Sequence, residues 1–146
     1  MLRTYSAWGR RAGAYIVDSL VILVPVVIVG FLIGAAVGLS SDDEDSALGS
    51  ATVAGYLIGI VGPFVYFTYF HGSTGQTPAK RWLGIRVVGD STGEPIGYGR
   101  AFGRYGITFV FGVFIIPLLL DYLWPLWDEK NQALHDKVVG SIVVKT

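Results

Sequence analysis

Cysteine is absent from this chain of 146 residues, and histidine occurs only twice. Without thiols the chain has no disulfide, no thiolate metal site and no cysteine nucleophile. Two histidines are too few for a His-rich metal site within one copy. Charged residues are also scarce, at 15% of the sequence against roughly 25% in ordinary soluble domains. Eleven basic and eleven acidic side chains cancel, so no net positive charge indicates a nucleic-acid partner.

Apolar sequence is abundant instead. Three uncharged, strongly apolar stretches, at 19–39, 46–70 and 105–120, occupy nearly half of the chain. The first two are long enough to cross a bilayer, which takes about 20 apolar residues at 1.5 Å per residue. The first is also too long for the core of a cleaved signal peptide, which has about 7–15 residues. We therefore expect a polytopic, all-α membrane protein that retains its first helix.

The pattern predicts a single membrane domain over 1–146, with two full transmembrane helices and a third apolar segment that is kinked or re-entrant at Pro117. Thr77-Pro78 is typical of an N-cap followed by proline at the first helical position, so a short interfacial helix should follow over 79–83. Segments 85–88 and 140–144 are candidate strands of a small two-stranded sheet. The predicted segments are helix one at about 12–39, an acidic loop at 40–46, helix two at about 47–70, a basic loop at 71–104, the third apolar segment at about 105–127 and a tail at 128–146.

Small residues recur at four-residue spacing in both long helices. This GxxxG pattern leaves a flat surface on which another helix backbone can approach closely. We expect it to serve helix packing and self-association with a second copy or with other membrane proteins. The glycines concerned are Gly30, Gly34, Gly38, Gly55 and Gly59.

Basic residues indicate the orientation. The N-terminal segment and the basic loop carry most of them, and the acidic loop carries none, so the positive-inside rule places the first two in the cytoplasm. A third segment that crosses fully would put the tail outside. A cytoplasmic tail is favoured, because it places all eleven basic residues inside and lets the two candidate strands pair.

Arg11 and Asp18 are the charged residues at the start of helix one. They are two helical turns apart, about 10 Å along one face, with Tyr15 between them as a potential bridge. An ionised Asp deep in the bilayer costs about 2.5–3.5 kcal/mol on insertion scales, so such residues are usually functional. Asp18 is therefore interpreted as a proton- or cation-binding carboxylate; the alternative is a polar contact that fixes helix one to a neighbour. Asp121, among aromatic residues, is expected at the membrane interface.

Two further groups of residues were considered as sites. His135-Asp136 alone cannot build a metal site or a hydrolase dyad, because adjacent residues of one chain supply too few groups. Lys80, Arg81 and Trp82 on the short helix are expected to contact anionic lipid headgroups.

Three motifs in order resemble the RDD family of small bacterial membrane proteins: Arg11-x6-Asp18, then GQTPAKRWLGIRVV at 75–88, then HDKVVGSIVV at 135–144. The family is named for one arginine and two aspartates, which here would be Arg11, Asp18 and Asp136. Ala79 departs from the glycine usual in the family. The resemblance implies a bacterial inner-membrane protein whose activity is largely undefined, although transport, including sodium–proton exchange, has been suggested for some members. The residues that would support the motif are Tyr15, Thr77, Pro78, Lys80, Arg81 and His135.

Two functions remain open at this point. In the first, the protein takes part in transport: Asp18 binds a proton or small cation, Arg11 tunes it, and Asp136 or the basic loop contributes from the cytoplasmic side. One copy has too few helices to enclose a pathway, so transport implies an oligomer. In the second, the protein is a non-catalytic accessory or scaffold whose Arg and Asp residues fix helix packing. Neither requires a cofactor, a metal or enzymatic activity.

Overall fold

Two long helices dominate the computed structural model, which describes residues 4–40 and 43–146. Helix α1 is Trp8–Ser40 and helix α2 is Glu44–Ser73. Both are long and apolar enough to cross a membrane, as expected from the sequence. Each is longer than predicted, because α1 begins ahead of residue 12 and α2 takes in the end of the acidic loop. Asp43 caps α2: its carboxylate accepts from the Asp45 amide at 3.3 Å and from the Ser46 hydroxyl at 2.7 Å. Residues 41 and 42 of that loop lie outside the described residues.

The rest of the chain forms short elements. The described part of the chain is mostly helical, as predicted, and includes a small sheet. In chain order these elements are α3 Pro78–Trp82, β1 Ile85–Gly89, α4 Gly97–Val113, α5 Ile115–Leu123, a 3-10 turn Trp124–Leu126, α6 Leu134–Val139 and β2 Ser141–Lys145.

The third apolar segment is interrupted, as expected, but at a different residue. The break is at Phe114, whose extended backbone (φ −120°, ψ 123°) separates α4 from α5. Pro117, the predicted break, is the third residue of α5. Its missing N–H costs nothing there, because the first four amides of a helix have no partner within it. With 17 and 9 residues, α4 and α5 are about 25 and 14 Å long, so neither alone spans a hydrocarbon core of about 30 Å.

The two predicted strands pair. β1 and β2 are antiparallel, in a register that runs from Ile85 opposite Lys145 to Gly89 opposite Ser141. The N-terminal segment joins their edge: the Ser6 amide donates to the Val143 carbonyl at 2.8 Å, and the Lys145 amide donates to Thr4 at 2.9 Å. The N-terminus, the basic loop and the tail therefore form one folded structure. Neither strand is left without a partner, as a tail on the far side would require.

The chain divides into two compact units. The first, the charged unit, contains residues up to Asp18 and Tyr66–Thr146. Its small apolar core includes Ala14, Ile85, Val87 and Val143, each at most 1% exposed. The second, the apolar unit, is Ser19–Val65 and contains the apolar middle of α1 and most of α2. Its large apolar side chains are exposed, for example Phe31 at 74%, as expected of a lipid-facing surface.

One of the predicted packing glycines, Gly34, lies against the neighbouring helix of the same chain. A Cβ atom at Gly34 would lie 3.5 Å from the Cβ of Ala51 on α2. At the other four predicted glycines a Cβ would have no neighbour within 4 Å. Those positions leave a surface open on each helix, and their use by a second copy stays a prediction.

Candidate functional site

Asp136 is the centre of an ion-pair cluster in the charged unit. It lies on α6, is fully buried, and its carboxylate accepts from the Arg104 Nε at 2.9 Å and from the Arg11 guanidinium. The Ala133 amide and the Ser141 hydroxyl also donate to it, at 3.1 and 2.9 Å. Burial alone would raise the pKa of Asp136, but the guanidiniums of Arg104 and Arg11 outweigh burial and hold that pKa well below its usual range. Asp136 is therefore an ionised carboxylate with every lone-pair direction in use.

Asp18 is the centre of a second cluster. One carboxylate oxygen accepts from the Tyr66 hydroxyl at 2.9 Å; the other accepts from the Thr77 hydroxyl at 2.6 Å and lies 3.6 Å from the Lys80 Nζ. Asp18 is fully buried. Arg11, two turns earlier on the same helix, donates instead to Asp136 and to a backbone carbonyl of the tail. A charged partner 10 Å along the same helix cannot compete with an acid in direct contact.

Thr77 has two roles, which follow from the local sequence. It is the N-cap of α3 and accepts from the Lys80 amide at 3.2 Å, and its hydroxyl hydrogen goes to Asp18. Pro78 is the first residue of α3, where its fixed φ suits a helix start. The predicted cap is confirmed. It orients Thr77 and Lys80 together toward the carboxylate.

Lys80 is not at the headgroup position expected for it. It is 7% exposed, and its Nζ lies beside Asp18 and 5.9 Å from the centre of the Phe67 ring. The five-residue α3 turns Lys80 inward, while Arg81 and Trp82 on the same helix are exposed. Burial, and next the nearby Arg104, lower the pKa of Lys80 to about 8, although Asp18 opposes the shift. The Lys80 ammonium therefore releases its proton more readily than that of a solvent-exposed lysine.

Arg104 and His71 are among the residues of these clusters for which the sequence predicted no site. Arg104 lies near the middle of α4, one turn after Arg100, which donates to the Val139 carbonyl at 2.8 Å. Arg104 connects Asp136 to His71, because its Nη1 is 3.2 Å from the Nδ1 of that buried ring. A guanidinium only donates, so Nδ1 accepts and Nε2 carries the hydrogen of His71. The Nε2 has no hydrogen-bond partner among the described residues.

Asp121 is fully buried within the charged unit, and its position at the membrane interface stays a prediction. Its carboxylate accepts from the His135 amide at 2.8 Å and lies 2.6 Å from the His135 Nδ1. These contacts pull Asp121 inward from α5 and fix α6 in place. The other ring nitrogen, Nε2, is 3.6 Å from Asp136. Burial, the largest cause, lowers the pKa of His135, which favours a neutral ring that donates from Nδ1.

A cavity of about 670 Å³, its open mouth included, lies between these clusters in the charged unit. Three basic side chains and both histidines form its polar wall, and aromatic rings form much of the remainder. Tyr15, predicted as a bridge to Asp18, is part of this wall, with its ring 5.1 Å from that of Tyr122. The lining residues are Trp8, Arg11, Ala12, Tyr15, Phe67, His71, Lys80, Arg104, Tyr105, Thr108, Tyr122, Pro125, Ala133, His135 and Val143.

The arrangement has a definite chemistry. Across residues 4–40 and 43–146, no group of three or more His, Asp or Glu side chains is placed to hold a metal ion. The Arg11, Asp18 and Asp136 motif is brought into one unit, but as two clusters: Arg11 with Asp136, and Asp18 with Lys80. Such groups can hold or move protons and bind small ions.

Membrane-length apolar helices joined to a unit built on buried Arg–Asp pairs are the features of a small helical membrane-type protein. More specifically, the chain belongs to the RDD family, whose sequence profile matches residues 5–140. No solved structure matches it.

The names of the relatives that match this chain state no molecular activity. A stretch of 94 residues is 36% identical to an uncharacterized protein of Haemophilus influenzae, over 62% of this chain and 60% of that protein. A proline-rich antigen of Mycobacterium leprae is 34% identical over 76 residues, 52% of this chain and 29% of that protein. An uncharacterized protein of Rickettsia prowazekii is 31% identical over 85 residues, 57% of this chain and 42% of that protein. The chain thus covers less than two thirds of each of these relatives.

Proposed function

We propose that this RDD-family protein takes part in transport and that Asp18 and Lys80 form a site where a proton and a small monovalent cation exchange. One observation carries the proposal: a fully buried carboxylate on a membrane-length helix has a lysine as its charged partner, at 3.6 Å. The pKa of that lysine, lowered to about 8, lies near physiological pH. A purely structural ion pair has no need of a partner that releases its proton so readily.

The exchange follows from the geometry around Asp18. When Lys80 is protonated, its ammonium balances the carboxylate. When Lys80 releases the proton, the Asp18 carboxylate loses its ammonium partner, and the hydroxyls of Thr77 and Tyr66 lie 2.6 and 2.9 Å from it. Carboxylate and hydroxyl oxygens are ligands that suit hard cations. A monovalent cation then replaces the ammonium, and reprotonation of Lys80 expels it.

In this proposal the charged unit faces the cytoplasm of a bacterial inner membrane. The N-terminal segment, the basic loop and the tail are one folded structure, so the positive-inside rule applies to them together. Arg81 and the 78% exposed Trp82 contact lipid headgroups. The two long helices of one copy enclose no pathway, so the transporting form is an oligomer joined through the open glycine surfaces of α1 and α2.

The alternative is a non-catalytic accessory or scaffold protein. The observation that favours it is the complete pairing of Asp136, which joins Arg11 on α1 to Arg104 on α4. Such a cluster fixes the fold whether or not anything is transported. In that case Asp18 and Lys80 are a second structural pair, and only their charges matter.

Lys80→Arg separates the two functions. Arginine keeps a positive charge opposite Asp18 but does not release its proton in a protein. We expect proteoliposomes of the wild-type protein to show a pH change in their lumen when Na⁺ or K⁺ is added outside, and Lys80→Arg to abolish it. The variant should retain the wild-type oligomer and unfolding midpoint.

Asp18→Asn provides the complementary test, and Asp90→Asn is its matched control. Asp90 pairs with Lys130 at the surface, so its variant should exchange ions as the wild type does. Asp18→Asn should show no cation-dependent pH change. Lys80→Arg and Asp18→Asn variants that exchange ions at the wild-type rate would rule out the site, and loss of assembly in Asp18→Asn would favour the scaffold.

A further inference from the structure

The charges on the cavity wall are of one sign. Arg11, Lys80 and Arg104 line the cavity, whereas Asp18, Asp121 and Asp136 are fully buried behind that wall and do not line it. The three basic and three acidic side chains are equal in number, but the basic groups lie between the carboxylates and the cavity. A ligand inside the cavity therefore meets positive charge first.

The wall also holds unused hydrogen-bond donors. A guanidinium has five N–H donors in a fixed fork, and the bonds of Arg104 to Asp136 and His71 leave some of these free. The Nε2–H of His71, a residue 2% exposed, has no partner among the described residues. A buried donor without a partner destabilises the free protein, and a ligand with an acceptor oxygen would satisfy it.

The remaining wall is aromatic. Tyr15, Phe67, Tyr105 and Tyr122 line the cavity, and the rings of Phe67 and Tyr105 stack at 4.8 Å. An inorganic anion would leave these faces without contact. A ligand that combines an anionic group with an apolar group would fill both parts of the cavity, because burial of the apolar group adds to the charge-assisted hydrogen bonds.

We propose that this cavity binds the phosphate group of an amphiphilic molecule, with the phosphate oxygens on Arg11, Lys80 and Arg104 and the apolar part against the aromatic wall. Planar guanidiniums match phosphate oxygens in paired hydrogen bonds. Two sources carry this chemistry, the headgroup of a membrane lipid and a soluble phosphate ester. This site shares Lys80 with the cation exchange proposed above but does not include Asp18, which is not part of the wall.

The test uses phenyl phosphate as the probe and the whole protein in a maltoside detergent, which contains no phosphate. Calorimetric titration should show saturable binding of phenyl phosphate. Inorganic phosphate and benzyl alcohol, which each carry half of the chemistry, should bind at least about tenfold more weakly.

Variants of the basic wall residues would leave Asp136 or Asp18 unpaired, so the test fills the cavity instead. Ala12→Leu adds a side chain at the wall without changing any charge and should weaken phenyl phosphate about tenfold or more. Ala36→Leu makes the same change at an exposed position of the apolar unit and should leave binding unchanged. Both variants should keep the wild-type circular dichroism spectrum.

Competition identifies the source of the phosphate. If short-chain phosphatidylglycerol displaces phenyl phosphate while the matching diacylglycerol does not, the site takes a lipid headgroup. If neither displaces it, the site takes a soluble phosphate ester, and the proposal also holds. The absence of saturable binding to the wild type, or equal binding by Ala12→Leu, would overturn the proposal.

Discussion

The two units of this protein differ in which side chains they expose and which they bury. The apolar unit, Ser19–Val65, contains none of the eleven basic residues, and its four acids are consecutive in the sequence, at 42–45. It exposes its large apolar side chains and needs a bilayer to cover them. The charged unit contains every Lys and Arg and buries three aspartates completely. Substitutions of one apolar residue for another should therefore be tolerated in the apolar unit. In the charged unit, each buried charge requires its partner.

Asp136→Asn should have the largest effect on stability. It leaves Arg11 and Arg104 in a buried site without the charge that compensates them, which costs about 3–5 kcal/mol. SDS-induced unfolding, followed by circular dichroism, measures the loss. The control is Asp90→Asn at the surface, which should cost no more than about 1 kcal/mol. Similar losses of stability for the two variants would mean that the buried ion pairs of Asp136 contribute no more to the charged unit than a surface ion pair does.

Thr77→Ala should have the next largest effect. It removes the N-cap of α3 and one of the hydrogen bonds to the Asp18 carboxylate, for a loss of about 2–3 kcal/mol in the same unfolding experiment. Thr77→Ser keeps the hydroxyl and should recover most of the stability. A Ser variant as unstable as the Ala variant would assign the effect to the lost methyl group instead of the hydroxyl.

The pH dependence of stability should show a smaller effect from Lys80. Its pKa is lowered from 10.5 to about 8, so between these values the unfolded chain binds the proton and the folded chain does not. The free energy of unfolding should therefore rise with pH across this window, by up to about 1.4 kcal/mol per pH unit. Lys80→Met lacks this contribution, and the difference in slope between the two proteins measures it. Equal slopes above pH 8 would contradict a lowered pKa.

Gly30→Ile should have the smallest effect on the stability of one copy. A Cβ at Gly30 meets nothing within 4 Å, so the variant should unfold like the wild type. It should nevertheless weaken self-association, because a branched side chain keeps a second helix from close approach. Crosslinking in detergent compares the two proteins. Unchanged oligomers would show that the open glycine surface of α1 is not an interface between copies.

Local signals in the sequence predicted the parts of the fold that depend on neighbours along the chain. Thr77-Pro78 marks the start of α3, and the β-branched runs mark both strands. The break of the third apolar segment was misplaced at Pro117, because proline is a strong local signal yet harmless in the first turn of α5. Nothing in the side chain of Phe114 marks it as the break.

Motifs also identified Arg11, Asp18 and Asp136, but not which residues pair. Partner choice depends on tertiary contacts: Lys80 looks like a headgroup ligand in a basic loop, and only the turn of α3 points it at Asp18. The aromatic neighbours of Asp121 along the chain did not indicate its partner, because its contact with His135 joins separate elements. The spacing of Arg100 and Arg104 was the available signal for Arg104, since it places both on one face of α4.

The side of the membrane that the tail occupies tests most directly whether the N-terminus, the basic loop and the tail build one site. Ser141 is buried, so labelling is better placed at Val138→Cys, 68% exposed, with Trp82→Cys in the basic loop and Ser46→Cys at the start of α2 as references. The chain has no native cysteine. In intact cells, a membrane-impermeant thiol reagent should label Ser46→Cys, and should reach Val138→Cys and Trp82→Cys only after permeabilisation. Labelling of Val138→Cys as readily as Ser46→Cys, with Trp82→Cys protected, would place Asp136 across the membrane from the basic loop and contradict a single site.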